Sequence, residues 1–180
     1  WLINSKINPP TRWAGGEAST VPAPLLAAPP LILLKPGTTG TLRLLRTESD
    51  ILPVDRETLF ELSIASVPSG KVENQSVKVA MRSVFKLFWR PEGLPGDPLE
   101  AYQQLRWTRN SQGVQLTNPT PYYINLIQVS VNGKALSNVG VVPPKSQRQT
   151  SWCQAIACHV AWRAINDYGG LSAKKEQNLP

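Results

Sequence analysis

The stretch VKVAMRSVFKLFWRPEG, residues 77–93, decides how the fold is read. Its first half alternates apolar residues with polar or small ones, the signature of a strand with one face on offer. Its second half turns apolar on both sides, yet carries Lys86 among Phe85, Leu87 and Phe88. An amine in what reads as the most buried strand of the chain needs a reason, and the flanking sequence supplies its context.

Upstream, LFELSIASV (59–67) repeats the two-residue period with Phe60, Leu62 and Ile64 on one face. LILL (31–34), the turn KPGTTG (35–40) and TLRLLRT (41–47) read as strand, turn, strand, with Leu42 and Leu44 sharing a face. Trp1 to Ile7 opens the chain as a further strand, and a Pro-, Gly- and Ala-rich loop follows to about residue 30. Pro53 argues against a helix in SDILPVDRETLF (49–60), which reads as a polar connection.

Downstream, PEGLPGDPLE (91–100) holds three prolines and two glycines, the composition of a hinge between domains. LRWTRN, SQG and VQLTN then form a hairpin, and YYINLIQVSV (122–131) is another alternating strand ending at the turn signal Asn132-Gly133. VAWRAINDYGG (160–170) is the last long strand, with Val160, Trp162, Ala164 and Asn166 on one face. This division predicts an all-β chain of two domains, 1–92 and 93–180, with about five strands before the hinge and six after it. An immunoglobulin-like sandwich needs about seven, so the first domain is expected to lack its opening strands. A strand-like run at the first residue reads as a fragment of something longer.

Composition narrows the function classes. Of 180 residues, 41% are hydrophobic, enough for a packed core, and 17 prolines and 12 glycines punctuate many short apolar runs. No run approaches the roughly twenty apolar residues of a membrane-spanning helix. The formal charge of +7, from 19 Lys and Arg against 12 Asp and Glu, is scattered singly, which fits a basic surface better than a nucleic-acid stripe. Cys153 and Cys158, with the single His159 beside them, are too few for a zinc site. A local disulfide, with the oxidising compartment it implies, stands against two reduced buried cysteines.

Four motifs in order, LPVDRETLFELSIASVP, FKLFWRP, NPTPYY and INDYGG, together with APPLILLKPG before TLRLLRT, resemble the periplasmic chaperones of the chaperone–usher pilus pathway. The resemblance covers almost the whole chain. It implies two immunoglobulin-like sandwiches at an angle with a cleft between them, and no catalytic chemistry or cofactor. Such chaperones lend an edge strand to a pilus subunit that lacks one, then pass it to an outer-membrane usher, so the partners implied are pilus subunits and an usher, in the periplasm. Carried onto this sequence, Lys86 is the anchor for the subunit's C-terminal carboxylate and Val77, Val79 and Met81 are the donor row. Glu57, Arg90 and Asp167 match an interdomain ion triad, and Pro29–Pro30 the proline pair beside the cleft. The short loop PSGKVENQS (68–76) resembles the short-loop branch of the family. The arginine that the family places on its first strand as partner to the lysine has no counterpart here.

Other readings remain at this point. Lys86 also fits a lysine with a buried stem and a solvated tip, and Val77, Val79 and Met81 also fit a core-facing row. Their odd numbering against the even Lys86 asks for either a bulge or two different partners. Trp152, Trp162, Tyr122 and Tyr123 read as core. An extracellular or surface immunoglobulin-like binding module is the alternative function, and a nucleic-acid binder a third.

Overall fold

The structure, a computed structural model, describes residues 1–11, 23–47, 52–70, 77–153 and 157–180. Part of the expected Pro/Gly/Ala loop, the start of the 49–60 connection, most of the short 68–76 loop and part of the cysteine loop lie outside these residues. The described part separates into two units, one of residues 1–11, 23–47, 52, 58–70 and 77–89, the other of 53–57, 90–153 and 157–180.

Alternating sequence builds the first unit as two antiparallel sheets. Its strands are β1 (Leu2–Asn8), β2 (Leu25–Ala28), β3 (Leu31–Leu33), β4 (Arg43–Arg46), β5 (Thr58–Val67) and β6 (Met81–Trp89). Four of them form one sheet in the order β3-β1-β5-β6, while β2 and β4 form a two-stranded ribbon. The core between them is small, with Ile7, Ala27, Leu52 and Phe60 buried and Leu25, Leu42, Leu62, Leu87 and Trp89 packed around them. A cavity of about 210 Å3 lined by Ile3, Ile32, Leu34, Leu42 and Ile64 lies on the same inner face. Among the described residues β4 pairs only with β2, and Leu44 and Leu45 stay 44% and 46% exposed. Of Leu42 and Leu44, expected to share a face, only Leu42 is half-buried against the core, because β4 sits at a ribbon edge.

Edge position also corrects the reading of residues 77–89. β6 is not the most buried strand: Phe85 is 51% exposed, and Lys86, Leu87, Phe88 and Trp89 are half-buried. The reason is topological, since among the described residues β6 pairs with β5 on one side and ends the sheet on the other. The strand begins at Met81, so Val77 to Ala80 form a lead-in outside the ladder. The phase question is answered by the register, which runs without a shift from Thr58↔Trp89 to Ser66↔Met81. With no bulge, the two-residue period places Met81 and Lys86 on opposite faces.

The second unit carries a 3-10 turn (Ala101–Gln104) and eight strands: β7 (Arg106–Asn110), β8 (Gly113–Asn118), β9 (Ile124–Val131), β10 (Lys134–Ala135), β11 (Val141–Val142), β12 (Ser146–Thr150), β13 (Cys158–Ile165) and β14 (Lys175–Leu179). One sheet runs β10-β9-β13-β14 with β11 also on β9, and the other runs β12-β8-β7. The two are immunoglobulin-like layers over a large core. Trp107 and Trp162, each 1% exposed, meet at 5.4 Å between ring centroids, and the Trp162 indole donates to the Tyr102 carbonyl at 3.0 Å. Asn132 and Gly133 both adopt positive φ, the geometry that the Asn-Gly signal demands. Gly113 is required where it stands, because an added Cβ would lie 2.2 Å from the Thr150 carbonyl oxygen. Five strands escaped the sequence reading: β2 (LLAA), which falls inside the expected Pro/Gly/Ala loop, the two-residue β10 and β11, and β12 (SQRQT) and β14 (KEQNL), the last two polar. Asn166 leaves the β13 face, its side chain instead accepting the Tyr168 and Gly170 amides in a turn.

Cys153 and Cys158 are joined in a disulfide, and both are buried in this core. Closing so short a loop restricts the unfolded chain by about 2 kcal/mol. Replacing both cysteines by serine is expected to lower the stability of the second unit by at least that amount in urea titration. Given the small core of the first unit, hydrogen exchange is expected to deprotect β5 before β13.

Candidate functional site

Two constellations hold the residues singled out by sequence, and one ladder leads to both. The first lies in the second unit. The Arg90 Nε donates to Glu57 Oε1 at 2.6 Å, while its Nη1 and Nη2 donate to the two Asp167 oxygens at 2.7 and 3.1 Å. A planar fork bridging two carboxylates is a geometry that only arginine supplies. Glu57 is the buried member, its side chain 2% exposed, and its other oxygen accepts the Tyr123 amide at 2.6 Å. Burial pushes the Glu57 carboxyl up, against the opposing pull of the Tyr123 amide and Arg90. The hydrogen bonds that Arg90 donates to Asp167 and Glu57 raise its guanidinium well above its ordinary value.

The segment NPTPYY positions the Tyr123 amide. Asn118, fully buried, donates to the Tyr122 and Pro143 carbonyls at 2.8 and 2.9 Å and accepts from the Thr120 amide and hydroxyl at 3.0 and 2.7 Å. The turn is thereby locked, with the Glu57 amide donating back to the Pro121 carbonyl at 2.9 Å. The Tyr122 ring lies under the Arg90 guanidinium at 5.3 Å. Sequence reasoning treated NPTPYY as turn and packing, which it is, but did not find its amide contact to Glu57.

The second constellation lies in the first unit. Lys86 sits on β6 directly opposite Glu61 of β5, and Glu61 directly opposite Asn8 of β1. Burial pushes the Lys86 amine below its ordinary value. Ahead of it, Val77, Val79 and Met81 are 90%, 61% and 65% exposed, so the core-facing reading of that row is overturned. Pro29 follows a cis peptide bond at Ala28, and the Pro30 carbonyl accepts the Ser5 amide at 2.9 Å, joining the proline pair to β1. Glu61, which the sequence did not flag, is 4% exposed with Oε1 accepting the Thr11 amide at 2.7 Å.

Comparison with known proteins meets this geometry. The family model for the pili and flagellar-assembly chaperone PapD N-terminal domain matches residues 1–95, and that for the pili assembly chaperone PapD C-terminal domain matches residues 100–176. The chain belongs to the PapD-like pilus-assembly chaperones. The chain is 99% identical to the fimbrial chaperone YcbF of Escherichia coli K12, spanning 77% of that protein. It is 33% identical to the chaperone FimC of the same strain over 83% of the chain and 63% of FimC. Among solved structures it superposes on a chain of the Salmonella enterica SafA pilin–SafB chaperone complex with a TM-score of 0.80 and 31% identity, over 98% of this chain and 81% of that one. The E. coli chaperone DraB gives the same TM-score and identity over 99% of this chain and 82% of that one. A PapD-like chaperone is a binding protein for pilus subunits, not an enzyme.

Arg90→Ala would leave Glu57 buried with the Tyr123 amide as its remaining charge-assisted contact. Breaking a buried pair from one side costs several kcal/mol, and the partial exposure of Arg90 reduces that to on the order of 2 kcal/mol. Chemical denaturation followed in the second unit should show it, with Arg90→Lys intermediate because the fork is lost while the charge remains.

Proposed function

We propose that this chaperone caps strand-deficient pilus subunits in the periplasm by lending them the edge strand of residues 77–89, and hands them to an outer-membrane usher. The observation that carries the reading is the exposed row Val77, Val79 and Met81 running into a sheet-ending β6 with Lys86 at a fixed position. A subunit lacking a strand leaves core side chains and backbone hydrogen-bonding groups uncovered, an aggregation hazard. An added strand answers both at once, through its backbone ladder and its alternate side chains. At roughly 25 cal/mol per Å2 of apolar surface buried, three such side chains contribute several kcal/mol before ordering costs.

Lys86 anchors this strand by taking the C-terminal carboxylate of the subunit. A half-buried amine forms a stronger charge-assisted bond than one in open water. The amine and the donor row act on different parts of the partner, in keeping with the opposite faces of Met81 and Lys86. Glu57, Arg90 and Asp167 brace the second unit from within, and Pro29–Pro30 fixes the turn between β2 and β3 beside β1. In the SafA–SafB complex a related chaperone is in complex with a pilin, which supports the assignment of the partner class. The division into domains 1–92 and 93–180 belongs to the same proposal.

Co-expression with a strand-deficient pilin is expected to give a one-to-one complex. Lys86→Ala should weaken it by about tenfold or more, the value of a charge-assisted hydrogen bond, with the circular dichroism spectrum unchanged. Val79→Asp should abolish it by placing a charge in the acceptor groove. Undiminished binding by Lys86→Ala would remove the anchoring role.

A further inference from the structure

Lys86 has a carboxylate residue of its own chain directly across the ladder. Directly opposed residues on antiparallel strands point to the same face with Cβ atoms roughly 4.5–5.5 Å apart, and Glu61 stands opposite Lys86 in the unbroken β5–β6 register. Glu61 is not a swinging surface acid. It is 4% exposed, the Thr11 amide donates to its Oε1 at 2.7 Å, and the Thr11 hydroxyl lies 3.5 and 3.4 Å from its two oxygens. Register places Lys6, Arg82 and Lys86 on the same sheet face as Glu61, among neutral residues such as Ser63 and Val84, so the charged residues paired around this acid are cations.

We propose that Glu61 is a resident rival for the anchor lysine, setting how tightly Lys86 holds the terminal carboxylate of a subunit. This rests on the anchoring role given to Lys86 above. An arriving carboxylate meets a negative charge fixed directly across the ladder from the amine, because the Thr11 amide and the strand ladder hold Glu61 in place. Two negative charges about 6 Å apart, in surroundings between protein surface and water, repel enough to cost about tenfold in affinity. A capping protein has to let go of its cargo, and a fixed acid beside the anchor biases that exchange toward release.

The test uses the whole chain and two synthetic peptides of alternating valine and serine, one ending in a free carboxylate and the other amidated. The preference for the free acid over the amide isolates the carboxylate contact. Glu61→Gln keeps an acceptor for the Thr11 amide and removes the charge, so it is expected to raise this preference about tenfold while leaving affinity for the amidated peptide unchanged. Lys86→Ala is expected to erase the preference. A preference unchanged or lowered in Glu61→Gln, with Lys86→Ala still erasing it, overturns the rival role alone. A preference that survives Lys86→Ala, or is absent from the wild type, overturns the anchoring role and this inference with it. If Glu61→Gln does not fold, 13C-glutamate labelling of the wild type decides. The Glu61 carboxyl resonance should move with the free-acid peptide and not with the amide, and a resonance moved by neither overturns the proposal.

Discussion

The β5–β6 ladder is the constraint on which the candidate site depends. Its register is regular from Ser66↔Met81 to Thr58↔Trp89, and the next residue on each strand is Glu57 and Arg90, the ion pair at 2.6 Å. A slip of one residue would turn Lys86 to the inner face and bring Phe85 and Leu87 out with it. The ladder therefore decides three things together: which face carries the amine, which carries the apolar row, and where the fork of Arg90 begins. Burial of Phe60 and the half-burial of Leu62, Leu87 and Trp89 hold the inner face in place.

Stability and function pull against each other along β6. Each apolar side chain left in water forgoes stabilisation of roughly 1.5–3 kcal/mol if fully exposed, and Val77 at 90% exposure forgoes nearly all of its share. A row that packed into its own domain would be unavailable to a partner. The lead-in of residues 77–80 stays out of the ladder while Met81 onward is paired. The same edge gives Lys86 its intermediate environment, dry enough to strengthen a charge-assisted contact and open enough to be reached. Glu61, buried one strand further in, is placed to moderate that contact.

Much of this was legible in the sequence because alternation is local. The two-residue period found β5, β9 and β13, and the Asn-Gly turn announced itself by residue type. The residues of the ion cluster were read from motifs, and the Glu57–Arg90–Asp167 contacts are present as a bridged set. What failed depends on neighbours distant in sequence. Periodicity cannot tell an edge strand from a central one, so β6 read as deeply buried. β12 and β14 carry polar residues whose ladders, not their side chains, make them strands. Glu61 was passed over because an acid in an alternating strand reads as solvent-facing; it stands on β5, between β1 and β6, and takes a hydrogen bond from Thr11, fifty residues away in the chain. The odd–even conflict between Met81 and Lys86 needed the absence of a bulge, which only the observed register shows.

Amide hydrogen exchange at residues 77–82, measured by NMR with and without a strand-deficient pilin, tests the central claim most directly. A lent strand predicts fast exchange in the free chaperone and, on binding, slowed exchange at alternate amides of this segment, those that point toward the partner's unpaired strand. Complex formation with every one of these amides still exchanging at its free rate would contradict the account.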